Sequence, residues 1–202
     1  MDTGAPQNPF SSHLLEPGRG GYIFAPGQSL AQVMARLEEA GWRGELTGNH
    51  GAGKSTLLAD ICAELRRCGL RVTWWQSSDR RRLPPSTWMR DLLQSDVIAY
   101  DGAERLLPGL FLFLRALTKS MKRGFIVTTH WRHGYGAVIP VVASATLLAQ
   151  KFSVEQAEGY SLEEWQQKID EALARHEGNS RQVLFDLYME YEDRARQDRP
   201  LR

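Results

Sequence analysis

Residues 48–56 read GNHGAGKST, and their types fit the spacing G-x-x-x-x-G-K-[ST]. A short apolar strand pattern precedes this stretch, and an apolar helical pattern, TLLADICAELRR, follows it. Gly48, Gly51 and Gly53 would let the backbone turn tightly and point its N–H groups at an anion. A helix beginning at Lys54 would add its positive end. The stretch therefore predicts a phosphate-binding loop made of nine residues: Gly48, Asn49, His50, Gly51, Ala52, Gly53, Lys54, Ser55 and Thr56.

The side chains at the end of this loop have distinct uses. Lys54 would reach the β and γ phosphates, Ser55 would offer its hydroxyl to Mg²⁺, and Thr56 would lie near the α-phosphate. A second stretch, VIAYD at 97–101, is an apolar strand pattern that ends in a carboxylate, and Asp101 would orient a water on Mg²⁺. Together the two stretches predict ATP or ADP as the ligand and Mg²⁺ as the cofactor. The sequence leaves the preference for ATP or GTP open.

A third apolar stretch, FIVTTH at 125–130, also ends in polar side chains. Thr128, Thr129 or His130 could hydrogen-bond a γ-phosphate or the water that attacks it. A histidine that follows a strand also fits a purely structural role, and the sequence leaves both alternatives open.

Apolar strand patterns alternate with helical patterns along the first three quarters of the chain. Ser29 is a plausible N-cap for an amphipathic helix at 29–41 that Gly41 closes. Such alternation predicts an α/β fold in three layers, with a parallel sheet between helices. The strand patterns are five in number and lie at 44–48, 71–75, 96–100, 124–129 and 137–142.

The chain divides into three predicted segments. Residues 1–28 are rich in Gly, Pro and Ser and predict an extended arm, residues 29–152 hold the core, and residues 153–202 read as helices only. The most apolar run, LLPGLFLFLRAL at 106–117, is too short to span a membrane and predicts a buried helix.

Composition excludes a general attraction to nucleic acid or to anionic membranes. The 25 Lys and Arg nearly balance the 24 Asp and Glu, so any such binding must be local. Cys62 and Cys68 lack metal-ligand spacing and fit free thiols in a reducing compartment. The first residues show no signal-peptide pattern, and we expect a cytoplasmic protein.

These motifs, in this order, resemble the P-loop NTPases, specifically the AAA+ and STAND-type ATPases. The stretch HEGNSRQVLFDLY at 176–188 is similar to the lid signature of that class, in which an arginine at a helix start contacts the γ-phosphate. The resemblance implies a small C-terminal helical lid and gives Arg181 that role. A solvated arginine in a helix capped by Asn179 or Ser180 is the structural alternative. The resemblance covers residues 28–190.

Two departures from the class bear on catalysis. The class usually has a glutamate directly after the strand-terminal aspartate, where it polarises the attacking water, and this chain has Gly102 there. Glu104 lies three residues after Asp101 and is the candidate that could replace it in a slow ATPase. Arg123 and Arg132 are candidates for the arginine finger of ring-forming members.

Other functions remain open at this stage. A non-hydrolysing, ATP-gated switch that binds an unidentified protein partner needs the same loop but no Glu104. A small-molecule kinase is favoured by DRRRLPP at 79–85, whose Arg80, Arg81 and Arg82 could bind the acceptor's phosphate. Nucleic acid could use the same loop. The aromatic residues available for stacking there are Trp74, Trp75 and Trp88, although tryptophans in such positions more often belong to a core.

Overall fold

The structure, a computed structural model, describes residues 21–25, 27–77, 83–107, 109–142, 148 and 162–197. Two compact units are present. The larger unit holds Phe24–Gly48 and Lys54–Val141, and the other includes Asn49–Gly53 and the C-terminal helices. The larger unit consists, in chain order, of α1 (Leu30–Glu39), β1 (Arg43–Thr47), α2 (Lys54–Arg67), β2 (Val72–Gln76), α3 (Trp88–Gln94), β3 (Val97–Asp101), a 3-10 turn (Ala103–Arg105), α4 (Leu110–Ser120), β4 (Gly124–Thr129) and β5 (Ala137–Pro140).

The five strands form one parallel sheet in the order β2-β3-β4-β1-β5. The predicted α/β fold with five parallel strands is confirmed. The bounds of β4 are as predicted, those of β1, β2 and β3 differ by one residue, and β5 ends at Pro140 instead of 142.

The first helix begins and ends as its sequence predicts. Ser29 accepts a hydrogen bond from the N–H of Gln32, whose side chain binds the N–H of Ser29 in return, which completes a capping box. At the other end Gly41 adopts a φ of 65°, the left-handed conformation that suits glycine after a helix.

Helices cover both faces of the sheet. Because β2, β3 and β4 are adjacent and in sequence order, right-handed crossovers place α3 and α4 on the same face. Between them and the sheet lies a core of ten buried residues: Trp75, Leu92, Ile98, Tyr100, Ala103, Leu106, Leu114, Phe125, Val127 and Tyr135. The return from β1 to β2 runs the other way across the sheet, which places α2 on the opposite face, where it packs with α1.

The prediction of a buried helix at 106–117 is wrong in two respects. Gly109, with a φ of 84°, begins α4 only at Leu110, so the helix starts later than its apolar pattern suggests. Leu114 and Thr118 are its buried residues, whereas Leu112 and Phe113 are 61% and 51% exposed. One face of a helix can contact the sheet, and the apolar residues on the other face of α4 point to solvent.

In the other unit, α5 (Leu162–Arg175) and α6 (Ser180–Gln197) pack against each other. The turn between them contains two residues with positive φ, Glu177 and Gly178. The shared core consists of Leu148, Trp165, Ile169, Ala172, Leu173, Val183, Leu184 and Leu187. Within the described part of the chain, none of the helices combines the length and the apolar character needed to cross a membrane.

Candidate functional site

Polar side chains meet at the carboxyl end of the sheet. Gly48 follows β1, Asp101 ends β3, and Thr128 and Thr129 end β4, which pairs with both of those strands. Parallel strands all present their carboxyl ends at one edge, so residues distant in sequence become neighbours there. Lys54 and Ser55 open α2 beside them.

Asp101 is the centre of this cluster and is only 8% exposed. The hydroxyls of Ser55 and Thr128 both donate to its Oδ1, at 2.9 Å and 2.7 Å. The amide of Gln76 donates to its Oδ2 at 3.4 Å. Sequence reasoning did not single out Gln76. Its position as the last residue of β2, paired with Asp101 in the sheet register, was the available signal.

The Ser55–Asp101 pair fits a Mg²⁺ site. Because the Ser55 hydroxyl donates its hydrogen bond to Asp101, the lone pairs of its oxygen remain available to a cation. Mg²⁺ in phosphate sites takes one or two carboxylates, water and substrate oxygens, so one carboxylate and one hydroxyl are enough. The described residues contain no cluster of three or more His, Cys, Asp and Glu that could hold an ion by itself.

Lys54 is buried and folds back onto its own loop. Its Nζ donates to the carbonyl oxygen of Gly48 at 2.6 Å. Burial lowers the pKa of this ammonium, whereas the carboxylates of Glu104 and Asp101 raise it. The positive charge is therefore held where two carboxylates partly balance it, beside the start of α2.

Gly102 has a backbone conformation that explains its identity. Its φ of 81° and ψ of 42° are left-handed, and its N–H donates to Thr128 Oγ1 at 2.7 Å. A side chain at this φ would be strained. The residue after Asp101 is thus a turn glycine, and the 3-10 turn that follows brings Glu104 back towards the loop.

Glu104 has one oxygen bound and one without a partner. Its side chain is 10% exposed, and its Oε1 lies 3.2 Å from Nε2 of His130. Its Oε2 is buried and has no hydrogen-bond partner among the described residues. On the other side of the ring, Nδ1 of His130 lies 3.2 Å from the Gly48 oxygen and 3.4 Å from Nζ of Lys54. The structure thus brings together Lys54, Glu104 and His130, three of the predicted residues.

Thr129 is placed differently from Thr128. It is fully buried, and its hydroxyl bonds the oxygen and the N–H of Trp131 at 3.0 Å and 3.2 Å. Thr128, not Thr129, faces Asp101. The predicted role of Thr129 at the γ-phosphate stays a prediction, and its hydroxyl serves the turn that follows β4.

Glu45 binds the loop that follows β4, and the sequence did not single this residue out. This carboxylate is fully buried in β1 and accepts hydrogen bonds from the N–H groups of His133 and Gly134, at 2.9 Å and 3.0 Å. A charged residue inside an apolar strand pattern was its only signal in the sequence. Glu45 thereby binds the backbone of residues 133–134, in the loop that follows His130.

The middle of the phosphate loop, Asn49–Gly53, belongs to the unit of the C-terminal helices. Asn49 Nδ2 donates to the oxygen of Glu177 at 3.0 Å, and Ser180 Oγ donates to the oxygen of Gly51. Gly53 has a φ of 97° and lies against the ring of Tyr22. His50 is exposed, whereas Ala52 is buried. Within this unit, the turn between α5 and α6 and the start of α6 therefore contact residues 49–53 of the predicted phosphate loop.

Arg181 lies in the first turn of α6 and is exposed. Its N–H donates to Asn179 Oδ1 at 3.2 Å, so Asn179 is the cap of this helix. Of the finger candidates, Arg123 is bound to Asp96 at 3.2 Å and Arg132 is exposed.

The residues of the two alternative predictions, a kinase acceptor site and a nucleic-acid surface, are only partly described by the structure. The arginines of the kinase prediction, Arg80, Arg81 and Arg82, lie outside the described residues. For Trp75 the core alternative holds, because this residue is 2% exposed and its Nε1 donates to Asp91 at 2.9 Å. Trp74 and Trp88 are half-buried. Trp75 belongs to the core because β2 is covered by α3.

Neither a protein-family model nor a curated protein matches this sequence. Solved structures match over most of the chain. AMPPCP-bound DnaA from Aquifex aeolicus is 15% identical with a TM-score of 0.55, covering 88% of this chain and 68% of that one. DnaA bound to AMPPCP and single-stranded DNA is 14% identical with a TM-score of 0.54, covering 83% of this chain and 62% of that one. A DNA replication initiation factor is 14% identical with a TM-score of 0.56, covering 97% of this chain and 70% of that one.

The fold of this chain, a five-stranded parallel sheet with helices on both sides, is that of these solved structures. The chain spans 62–70% of the length of these three proteins. At identities of 14–15% the likeness extends to the fold. The predicted three-layer P-loop architecture is therefore confirmed, whereas the chemistry has to be argued from the residues of this chain.

Proposed function

We propose that this chain binds Mg-ATP at its phosphate loop and hydrolyses it slowly. The 2.9 Å contact between Ser55 Oγ and Asp101 Oδ1 is the observation that supports this most. These two residues come from different elements, and their meeting beside Lys54 assembles a hydroxyl, a carboxylate and an ammonium. A triphosphate with its cation needs those three groups. The AMPPCP-bound DnaA structures, which share the fold, support a nucleotide as the ligand.

Each residue has a defined part in this proposal. The N–H groups of residues 49–53 bind phosphate oxygens, and Lys54 leaves the Gly48 oxygen to bind the β and γ phosphates. Ser55 and Asp101 would hold Mg²⁺, with Asp101 orienting a water on the ion. When bound, Mg²⁺ neutralises charge on the β and γ oxygens. Thr128 and Gln76 keep the carboxylate of Asp101 oriented through the hydrogen bonds already present.

Glu104 is the residue proposed to orient the attacking water. His130 fixes its Oε1, while Oε2 is buried and free to accept a hydrogen bond from water. Leaving a buried carboxylate oxygen without a donor costs about 1 to 3 kcal/mol, so an additional donor such as water is favoured there. The water attacks the γ-phosphorus in line with the bond to the leaving ADP oxygen, and that P–O bond breaks.

Slow turnover is expected because Glu104 is not the residue next to Asp101. Phosphoryl transfer depends on positioning and charge placement, and a misplacement of about 1 Å can cost about 100-fold in rate. Gly102 leaves the adjacent position without a side chain. This observation also favours the second candidate function, a non-hydrolysing switch in which ATP binding alone changes the surface offered to a protein partner.

The segment 153–202 is proposed as the lid, with Arg181 reading the γ-phosphate as its resemblance to the AAA+ lid signature implies. The contacts of Asn49 with Glu177 and of Gly51 with Ser180 support a lid that responds to the phosphate loop. The single-stranded DNA in one matching structure was bound to that DnaA. With Trp75 in the core, nucleic acid is the less supported partner for this chain.

Thermal unfolding with and without Mg-ATP tests binding. At about a hundred times the dissociation constant the ligand adds about 2.7 kcal/mol, which raises the midpoint by about 5 to 10 °C. Lys54→Ala should remove this shift, whereas Arg67→Ala, an exposed change on the same helix, should keep it. An unchanged wild-type midpoint at saturating Mg-ATP would rule out the nucleotide site.

Single-turnover hydrolysis tests the reaction. Glu104→Gln should bind Mg-ATP with the same thermal shift and hydrolyse it at least tenfold more slowly than wild type. Equal rates would remove Glu104 from the mechanism. Full binding with no hydrolysis in either protein would instead identify the ATP-gated switch.

A further inference from the structure

The two helical faces of the larger unit differ in their exposed apolar residues. Among the described residues, α1 and α2 expose no large apolar side chain, as soluble helices normally do. The face of α3 and α4 exposes Met89 at 49%, Leu93 at 59%, Leu112 at 61% and Phe113 at 51%. Leu83 and Leu107, which precede these helices, are exposed as well. We call the four helical residues the α3–α4 face.

The two helices lie side by side, so their exposed residues form a single surface. At their first turns the rings of Trp88 and Phe113 meet edge to face, with centroids 6.4 Å apart. At their far ends Arg123, which follows α4, donates to the carbonyl oxygen of Leu93 at 3.3 Å. Contacts at both ends mean that α3 and α4 run in the same direction and present neighbouring outer faces.

The spacing of the exposed residues extends along both helices. Met89 and Leu93 are four residues apart on α3, and Leu112 is followed four residues later by Ala116 on α4. Residues four apart lie one above the other on a helix. Two short apolar stripes therefore lie next to each other. Contiguous exposed apolar surface of this kind marks interaction sites more often than single exposed residues do.

Positive charge borders this surface. Arg90 on α3 and Lys119 on α4 are exposed. Asp91 is the one acidic residue of the two helices; it is half-buried, and its carboxylate accepts hydrogen bonds from Trp75 and Thr87. Asp96 is bound to Arg71 and to Arg123. The sequence of α4 shows the same bias, because it contains Arg115 and Lys119 and no Asp or Glu.

We propose that the α3–α4 face binds an amphipathic helix of a partner protein whose apolar stripe is flanked by Asp and Glu. Two adjacent helices offer a groove into which the residues of a third helix fit at the usual spacing. Carboxylates beside that stripe would meet Arg90 and Lys119. An anionic membrane is less suited, because recruitment by charge generally needs about four to eight clustered cations and this rim has two.

Selection from a displayed library of helices tests the proposal without a known partner. The library would be selected on the wild-type chain alone, and the selected helices would then be measured on the double variant Leu93→Ser/Phe113→Ser. The selected helices should have an apolar stripe flanked by Asp or Glu and bind with micromolar dissociation constants. Either single variant should weaken them at least tenfold. Phe185→Ser, an equally exposed aromatic residue on α6, is the matched control and should change nothing.

Independent measurements separate this proposal from misfolding and from other occupants. Both serine variants should keep the wild-type unfolding midpoint and the full Mg-ATP shift, because the residues are exposed and outside the nucleotide site. Selected helices that carry net positive charge, or that bind the double variant equally well, would overturn the proposal. So would sedimentation with anionic lipid vesicles, or wild-type dimers in analytical ultracentrifugation, that depend on Leu93 and Phe113.

Discussion

Nε2 of His130 lies 3.2 Å from Oε1 of Glu104. The same imidazole has its other nitrogen 3.4 Å from Nζ of Lys54, so one ring joins the predicted water-orienting carboxylate to the predicted phosphate-binding amine. Glu104 and His130 come from a 3-10 turn after β3 and from the end of β4. Their contact depends on the register of two neighbouring strands.

We predict that His130 positions Glu104. Without its donor, the carboxylate can rotate, and the proposed water loses its fixed acceptor. His130→Ala should lower the single-turnover rate of ATP hydrolysis by about 10- to 100-fold and change ATP affinity by less than about threefold. His130→Gln, which can still donate to Glu104, should recover part of the rate.

His133→Ala is the control for this prediction. It lies in the same loop and is exposed, and Glu45 binds its backbone N–H, which the substitution keeps. Its rate should stay within about twofold of wild type. If His130→Gln were as slow as His130→Ala, hydrogen bonding to Glu104 would not be the function of this ring.

Much of the fold follows from apolar periodicity, and the motif residues could be located by spacing alone. The ends of α1 and α2 and all five strands follow from local signals such as Ser29, Gly41 and the run of β4. Such signals depend only on residues close together in the chain, so they can be recognised from the sequence. The predicted phosphate loop is of the same kind, because its three glycines and Lys54 lie within residues 48–54.

Residues that act through strand register were harder to find. Gln76 and Glu45 lie at ordinary positions of their strands and gain a role only from what the sheet places beside them. The exposure of Phe113 was missed for the opposite reason, because an apolar helix pattern does not tell how many of its faces are covered. Whether Thr128 or Thr129 faces Asp101 depends on the pleat of β4.

The second prediction concerns Arg181, whose proposed γ-phosphate contact exists only with the triphosphate. A charge-assisted hydrogen bond is worth about 1.5 to 3 kcal/mol. Arg181→Ala should therefore weaken the binding of ATP by about 10- to 100-fold and change the affinity for ADP by less than about threefold, as measured by calorimetry. Gln182→Ala, the exposed neighbour on α6, should affect neither nucleotide. Equal losses for ATP and ADP would make Arg181 a helix-start residue only.

The third prediction concerns Asp96, the residue before β3, whose carboxylate pairs with Arg71 and Arg123. Hydrogen bonds from Arg71 hold the pKa of Asp96 at about 2, below its usual 3.8. A depressed carboxylate pKa stabilises the fold above pH 3.8, and this contribution is lost as the pH falls towards 2. Because the group is near the surface, we expect about 1 kcal/mol.

Asp96→Asn should accordingly lower the free energy of unfolding by about 1 kcal/mol at pH 6, with the difference from wild type shrinking between pH 4 and pH 2.5. Urea unfolding at each pH gives this difference. Glu39→Gln, an exposed carboxylate at the end of α1, controls for general loss of negative charge. A difference that is constant over this range would contradict the link between ionisation and stability.

The last prediction concerns the close approach of Gly51 in the phosphate loop to Asn179 at the start of α6. Gly51 has a φ of 73°, and a Cβ added there would collide with Oδ1 of Asn179. Gly69 has a similar φ of 85°, but a Cβ added there would have nothing within 4 Å. Gly69→Ala therefore measures the cost of the backbone strain alone. Gly69→Ala should cost about 1 to 2 kcal/mol of unfolding free energy, and Gly51→Ala about 1 kcal/mol more. Combining Gly51→Ala with Asn179→Ser, which shortens the side chain and keeps a capping oxygen, should remove most of the excess cost of Gly51→Ala over Gly69→Ala. A remainder is expected because the added Cβ also lies 3.0 Å from the backbone nitrogen of Ser180. Equal costs for the two single glycine variants would show that Asn179 does not limit the phosphate loop.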